Sequence, residues 1–107
     1  MSQADNEILL TIFLKHQKDK NLAEINAKLE ESGYFDGFPP EGIEIQSWYV
    51  MMGIGQVVTL RVPAHRLREV NLAIERGAWG GFDTEFYATY DFLPVHHKMR
   101  AERAKRD

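Results

Sequence analysis

Apolar positions follow two rhythms along this chain. Ile8-Leu9-Leu10-Thr11-Ile12-Phe13-Leu14-Lys15 is a continuous apolar run of strand length. Its even positions form one greasy face, and Leu9, Thr11 and Phe13 form another, so a strand here needs cover on both sides. The rhythm then becomes helical: Leu22, Ile25 and Leu29 fall on one stripe, with Ala23 and Ala27 beside it. Asn21 and Glu24 stand at capping-box spacing and Gly33 is placed to end a helix, which predicts helix 1 over 22–32. Tyr34 to Gly42, with two prolines and two glycines, breaks both rhythms and reads as a loop. Its three aromatics suit either a lid over apolar surface or an anchor at the core edge.

From Ile43 to Val62 two β-rich runs flank Gly53-Ile54-Gly55, a hairpin pattern. A turn on Ile54-Gly55 brings Trp48 opposite Arg61, where ring and guanidinium can stack. A three-residue turn instead sets Trp48 opposite Leu60 and sends Arg61 to the other face. Pro63 ends the hairpin and opens helix 2 over Ala64 to Arg76, with Leu67, Val70 and Ile74 as its buried stripe and Gly77 as its stop. Ala78 to Asp83 is a second aromatic-bearing loop, predicted to border the same cavity as Tyr34 to Gly42. Thr84 to Phe92 alternates, with Phe86, Ala88, Tyr90 and Phe92 on one face and Glu85, Tyr87, Thr89 and Asp91 on the other. Pro94 ends that strand, and Met99 to Asp107 is helix-compatible but uncapped.

The order β-α-β-β-α-β predicts an α+β, ferredoxin-like fold: a four-stranded antiparallel sheet with two helices on one face and strands 1 and 3 at its centre. The other face then exposes Leu9, Phe13, Trp48, Val50, Met52 and Val57. A contiguous apolar patch of that kind is rare on a monomer. Pairing two such sheets hides it, and a standard interface of roughly 800 Å² per partner suffices. The expected partner is therefore a second copy, bound through the sheet face.

Composition narrows the classes. The 107 residues suit one domain, with its core over about 8–94 and a short basic tail at 95–107. The absence of cysteine removes disulfides, thiolate metal sites and a thiol nucleophile. The polar, acidic opening Met1-Ser-Gln-Ala-Asp-Asn-Glu7 does not read as a signal peptide, and no apolar run approaches the roughly 20 residues of a membrane span. A cytoplasmic protein is expected. Residues 1–97 carry 8 Lys/Arg against 14 Asp/Glu, and the last ten carry 5 against 2. An acidic body argues against nucleic acid as a partner.

The pattern of strand, helix, G-x-G hairpin running into Arg61-Val62-Pro63-Ala64, second helix and aromatic strand closing near residue 92 resembles the dimeric α/β-barrel superfamily. That group includes antibiotic-biosynthesis-type mono-oxygenases, muconolactone-isomerase-like proteins and stress-responsive barrel domains. The resemblance covers about residues 8–94 and implies fold and dimer. It carries no catalytic signature onto these residues.

Candidate ligand-binding residues are Trp48, Arg61, Tyr34, Trp79 and Tyr87. Glu85 beside Tyr87 is a candidate general base if a closed cavity raises its pKa, or else part of a solvated polar face. His96-His97 cannot readily chelate one ion, being adjacent, and no helix presents ligands at i and i+4, so neither metal nor cofactor is expected. Three roles stay open: a homodimer holding a small apolar or aromatic ligand, a cofactor-free enzyme of the mono-oxygenase or isomerase kind, and a structural or interaction protein.

Overall fold

The computed structural model describes residues 6–106. Segment 1–5, which carries most of the argument against a signal peptide, and Asp107 lie outside the described residues. Strands β1 (Glu7–His16), β2 (Glu44–Met51), β3 (Gly55–Pro63) and β4 (Phe82–Thr89) form one sheet in the order β2-β3-β1-β4. Every neighbouring pair is antiparallel, and β1 and β3 lie at the centre. The helices are α1 (Leu22–Ser32), the single turn α2 (Tyr34–Gly37), α3 (Leu67–Gly77) and α4 (Leu93–Arg106); a 3-10 turn at Ala64–Arg66 leads into α3.

One face of the sheet carries the core. Leu10, Ile12 and Leu14 of β1 and Val58, Leu60 and Val62 of β3 are buried together with Ile25 and Leu29 of α1 and Val70 and Ile74 of α3. Each fully buried aliphatic side chain contributes about 1.5–3 kcal/mol. The even-numbered face of the apolar run therefore points to the helices. Local chemistry sets the ends of α1: the Asn21 carboxamide accepts from the Glu24 amide at 2.9 Å, while the Glu24 carboxylate accepts from the Asn21 amide at 3.1 Å. Gly33, at φ 78°, takes the left-handed position that closes the helix.

Several expectations need correcting. Leu22 and Leu67, predicted for the buried stripes, are exposed, each standing in the first turn of its helix. The first loop folds one helical turn, α2, whose Tyr34 and closing Phe38 both pack into the core. The last strand ends at Thr89, so Tyr90 and Phe92 are exposed beyond it. The tail is helical from Leu93, not from Met99. Asp91 supplies its cap, the carboxylate accepting from the Leu93 amide at 2.9 Å, and Pro94 stands in the first turn where it needs no amide partner.

α4 has no buried residue. The radius of gyration is 17.2 Å, against about 13 Å for a compact chain of this length. None of the described helices is long and apolar enough to cross a membrane.

Candidate functional site

The face of the sheet turned away from α1 and α3 is uncovered, and register fixes what stands on it. Four rows run across the strands from β4 to β2: Thr89–Leu9–Arg61–Glu44, Tyr87–Thr11–Thr59–Ser47, Glu85–Phe13–Val57–Tyr49, and Asp83–Lys15–Gly55–Met51. Three groups of side chains interact there. At one end the Arg61 guanidinium reaches the Gln46 carboxamide oxygen at 3.2 Å and the Glu7 and Glu44 carboxylates at 3.7 Å each. At the other, the Lys15 ammonium donates to Glu85 at 2.9 Å, and the Tyr87 hydroxyl donates to the same carboxylate at 3.2 Å. Between them, Thr11 Oγ1 lies 3.0 Å from Thr59 Oγ1 and 3.1 Å from Thr89 Oγ1. The Phe13 and Tyr87 rings meet edge to face at 5.8 Å.

Lys15 and Glu85 compensate each other on this face. The hydrogen bond from Lys15 holds the Glu85 carboxyl below the ordinary glutamate range, and the same bond raises the Lys15 ammonium. Glu85 is therefore not the raised-pKa base that its place beside Tyr87 suggested. A general base of that type needs desolvation without a cation, and here the cation is adjacent.

Trp48 and Arg61 do not meet. The turn comprises Met52-Gly53-Ile54, starting two residues before the Ile54-Gly55 turn and one before the three-residue alternative, with the Ile54 amide donating to the Met51 carbonyl at 3.0 Å. Trp48 thus pairs with Val58, and an irregularity between Ile45 and Ser47 shifts the remaining pairs, so that Arg61 stands opposite Glu44. Trp48 and Val50 belong to the helix side of β2, and Met52 lies in the turn, so none of the three is on the open face as expected. Gly55 explains the turn position. Its φ is 154°, and a Cβ there would run into the Leu14 carbonyl and the Cα of Lys15, so only glycine fits where β3 begins.

Of the five candidates, Arg61 and Tyr87 stand on the open face. Trp48 and Tyr34 are joined on the helix side through Phe38, whose ring stacks on Tyr34 at 5.5 Å and meets Trp48 edge-on at 5.8 Å. The Trp48 indole N–H donates to Gln56 at 2.8 Å. The two aromatic loops touch where Tyr34 meets Phe82 at 5.8 Å, with the Ser32 hydroxyl donating to the Gly77 carbonyl nearby at 2.6 Å, but they do not share the expected cavity, since no residue of 78–83 lines the adjacent cleft. A cleft of about 350 Å³ lies beside that junction, between Ser32, Tyr34 and Pro40 on one wall and Leu72 and Arg76 on the other. Trp79 is not part of it: it is half exposed, and its indole N–H donates to Thr84 at 3.0 Å.

Tyr34 itself is core. Burial pushes its hydroxyl up to about 12, and among the described residues that hydroxyl has no hydrogen-bond partner. No three His, Asp or Glu side chains converge as a metal site among the described residues, and His96 and His97 hold their rings 6.0 Å apart on exposed α4.

Sequence reasoning missed Lys15, Glu7, Glu44 and the threonines at 11, 59 and 89. For Glu7, Thr11 and Lys15 the only linear signal is odd-position alternation on β1, and partners in this group are as much as 80 residues apart. Comparison with protein-family models, curated proteins and solved structures finds no match to this chain.

Proposed function

We propose that the chain is a small-molecule-binding homodimer of ferredoxin-like, dimeric α/β-barrel architecture, in which the open faces of two sheets enclose the ligand. One observation carries this reading: Leu9, Phe13, Val57, Tyr49, Met51 and Tyr87 share a sheet face that none of the described helices covers. Apolar and aromatic side chains in water at the centre of a sheet call for a second layer. The strand order β2-β3-β1-β4 supports the ferredoxin-like assignment, because that order puts the most apolar strand where a face-to-face partner covers it. The charged clusters around Arg61 and Lys15 stand at the two ends of the face and leave its middle to hydroxyls and aromatic rings, a lining suited to a small aromatic ligand. A cytoplasmic location accords with this reading.

The rival role, a base-catalysed enzyme, loses its best candidate base because Lys15 already neutralises Glu85. Native mass spectrometry tests both parts of the proposal in one spectrum. The expected species has twice the 12.4 kDa chain mass, together with the added mass of a small molecule that gentle activation removes. A spectrum containing only the 12.4 kDa chain overturns the dimer, and a dimer that never takes up any small aromatic overturns the binding role.

A further inference from the structure

The three threonines at the middle of the open face form a directed chain. Thr89 Oγ1 donates to the Leu9 carbonyl at 2.9 Å, and a carbonyl can only accept. A hydroxyl has one proton, so Thr89 must accept from Thr11 across their 3.1 Å contact. Thr11 has then used its own proton, and across 3.0 Å it must accept from Thr59. One order satisfies all three contacts at once: Thr59 donates to Thr11, Thr11 to Thr89, and Thr89 to the backbone. All three protons point along the sheet, and what remains on the open side is lone pairs. Thr59, at the head of the chain, accepts from no member of it and keeps both of its own.

The surroundings agree. The Tyr87 hydroxyl is spent on Glu85, which also receives Lys15, and Arg61 faces Gln46, Glu7 and Glu44. Two cations stand against four carboxylates on this face, namely Lys15 and Arg61 against Glu7, Glu44, Asp83 and Glu85. Chains of hydroxyls polarise one another, which strengthens the accepting power of the end that is left open. The hydroxyls of Ser47 and Tyr49, at the β2 edge of the same face, are its remaining donors, but at the threonines a two-fold axis sets acceptor against acceptor. A group seated between the threonines must donate.

Resting on the reading that two sheets enclose a ligand, we infer that the site selects a neutral small aromatic bearing a hydrogen-bond donor, a phenol in the simplest case, with its O–H delivered to Thr59 Oγ1 and its ring against Phe13 and Tyr87. An aromatic carboxylate is excluded by its charge and by having only acceptors to offer. A site with a committed polar partner discriminates strongly against an analogue that lacks the matching group.

The test is calorimetric titration at pH 7 with 2-naphthol, 2-methoxynaphthalene and 2-naphthoate, on the wild type and on Thr59→Val, with the mass of each protein taken by light scattering. Valine keeps the shape and β-branching of threonine on an exposed strand face, so the sheet is retained. 2-Naphthol is expected to bind at least about ten-fold more tightly than its methyl ether, and 2-naphthoate most weakly. In Thr59→Val that preference for the phenol disappears while the dimer persists. Equal binding of the ether, tightest binding of the carboxylate, a preference that survives in Thr59→Val, or a dimer that binds none of the three overturns the inference and leaves the sheet pairing intact. A monomeric wild type overturns the pairing on which the inference rests.

Discussion

Tyr34 shows how a single residue divides between packing and polarity. Its ring joins Phe38, Phe35 and Phe82, yet its hydroxyl is buried with no partner among the described residues. Removing such a group costs little and can help, because a buried unsatisfied hydroxyl carries a desolvation penalty. Tyr34→Phe is expected to leave stability at pH 7 unchanged or to raise it by up to about 1 kcal/mol. The alkaline limb gives the sign. Because the folded value is raised to about 12, the contribution is complete below the ordinary tyrosine value of about 10 and is lost as pH rises from there through the folded value. Urea unfolding at successive pH values should show a steeper alkaline loss in the wild type than in Tyr34→Phe. Identical slopes would mean that the hydroxyl is solvated.

On the open face, Lys15→Met should return the Glu85 carboxyl towards the ordinary glutamate range, a change that carbon-detected NMR titration reads directly. The sign is opposite here. Lys15 depresses the folded value, so the stability it lends exists above the unfolded glutamate value and fades as pH falls through the folded one. No change in the Glu85 titration would mean that the 2.9 Å contact is not kept in solution. Both residues were visible in the sequence, but their pairing was not, because it depends on a diagonal between β1 and β4 that only the register reveals.

At the scale of elements, local signals were legible and registers were not. Asn21, Glu24 and Gly33 announce α1 because each acts through its neighbours in the chain, and the helix spans 22–32 as those residues require. Asn21→Ala should cost about 1 kcal/mol, measured by urea unfolding; an effect near zero would mean that the cap is dispensable. The hairpin also announced itself, but its two glycines left the turn position open by one residue. Gly55 decides it, since the Leu14 carbonyl lies where a Cβ would go. That obstacle belongs to β1, some forty residues earlier in the sequence, and nothing local records it. Gly55→Ala should destabilise the fold by about 2 kcal/mol or more, because it adds strain at a positive φ to a clash with backbone. A neutral Gly55→Ala would contradict this register. Trp48 pairs with Val58, three residues from Arg61, and that odd offset puts Trp48 and Arg61 on opposite faces, as the three-residue alternative required. Asp91 went unread as a cap because its strand-like alternation with Glu85, Tyr87 and Thr89 hid the end of β4 at Thr89.

For the whole molecule, the doubly apolar run at residues 8–15 was the most telling stretch of the sequence. Leu10, Ile12 and Leu14 lie in the core, and the odd positions Leu9 and Phe13 lie on the uncovered face. α4 is exposed along its length, and the radius of gyration is 17.2 Å. The central claim is that two copies close their open faces on each other, and multi-angle light scattering across the micromolar range tests it most directly. The wild type is expected at twice 12.4 kDa, and Phe13→Glu, which puts a charge in the middle of the paired faces, is expected to fall to the single-chain mass or to precipitate. A wild type that stays at 12.4 kDa throughout, or a Phe13→Glu variant that remains a stable dimer, would contradict the account.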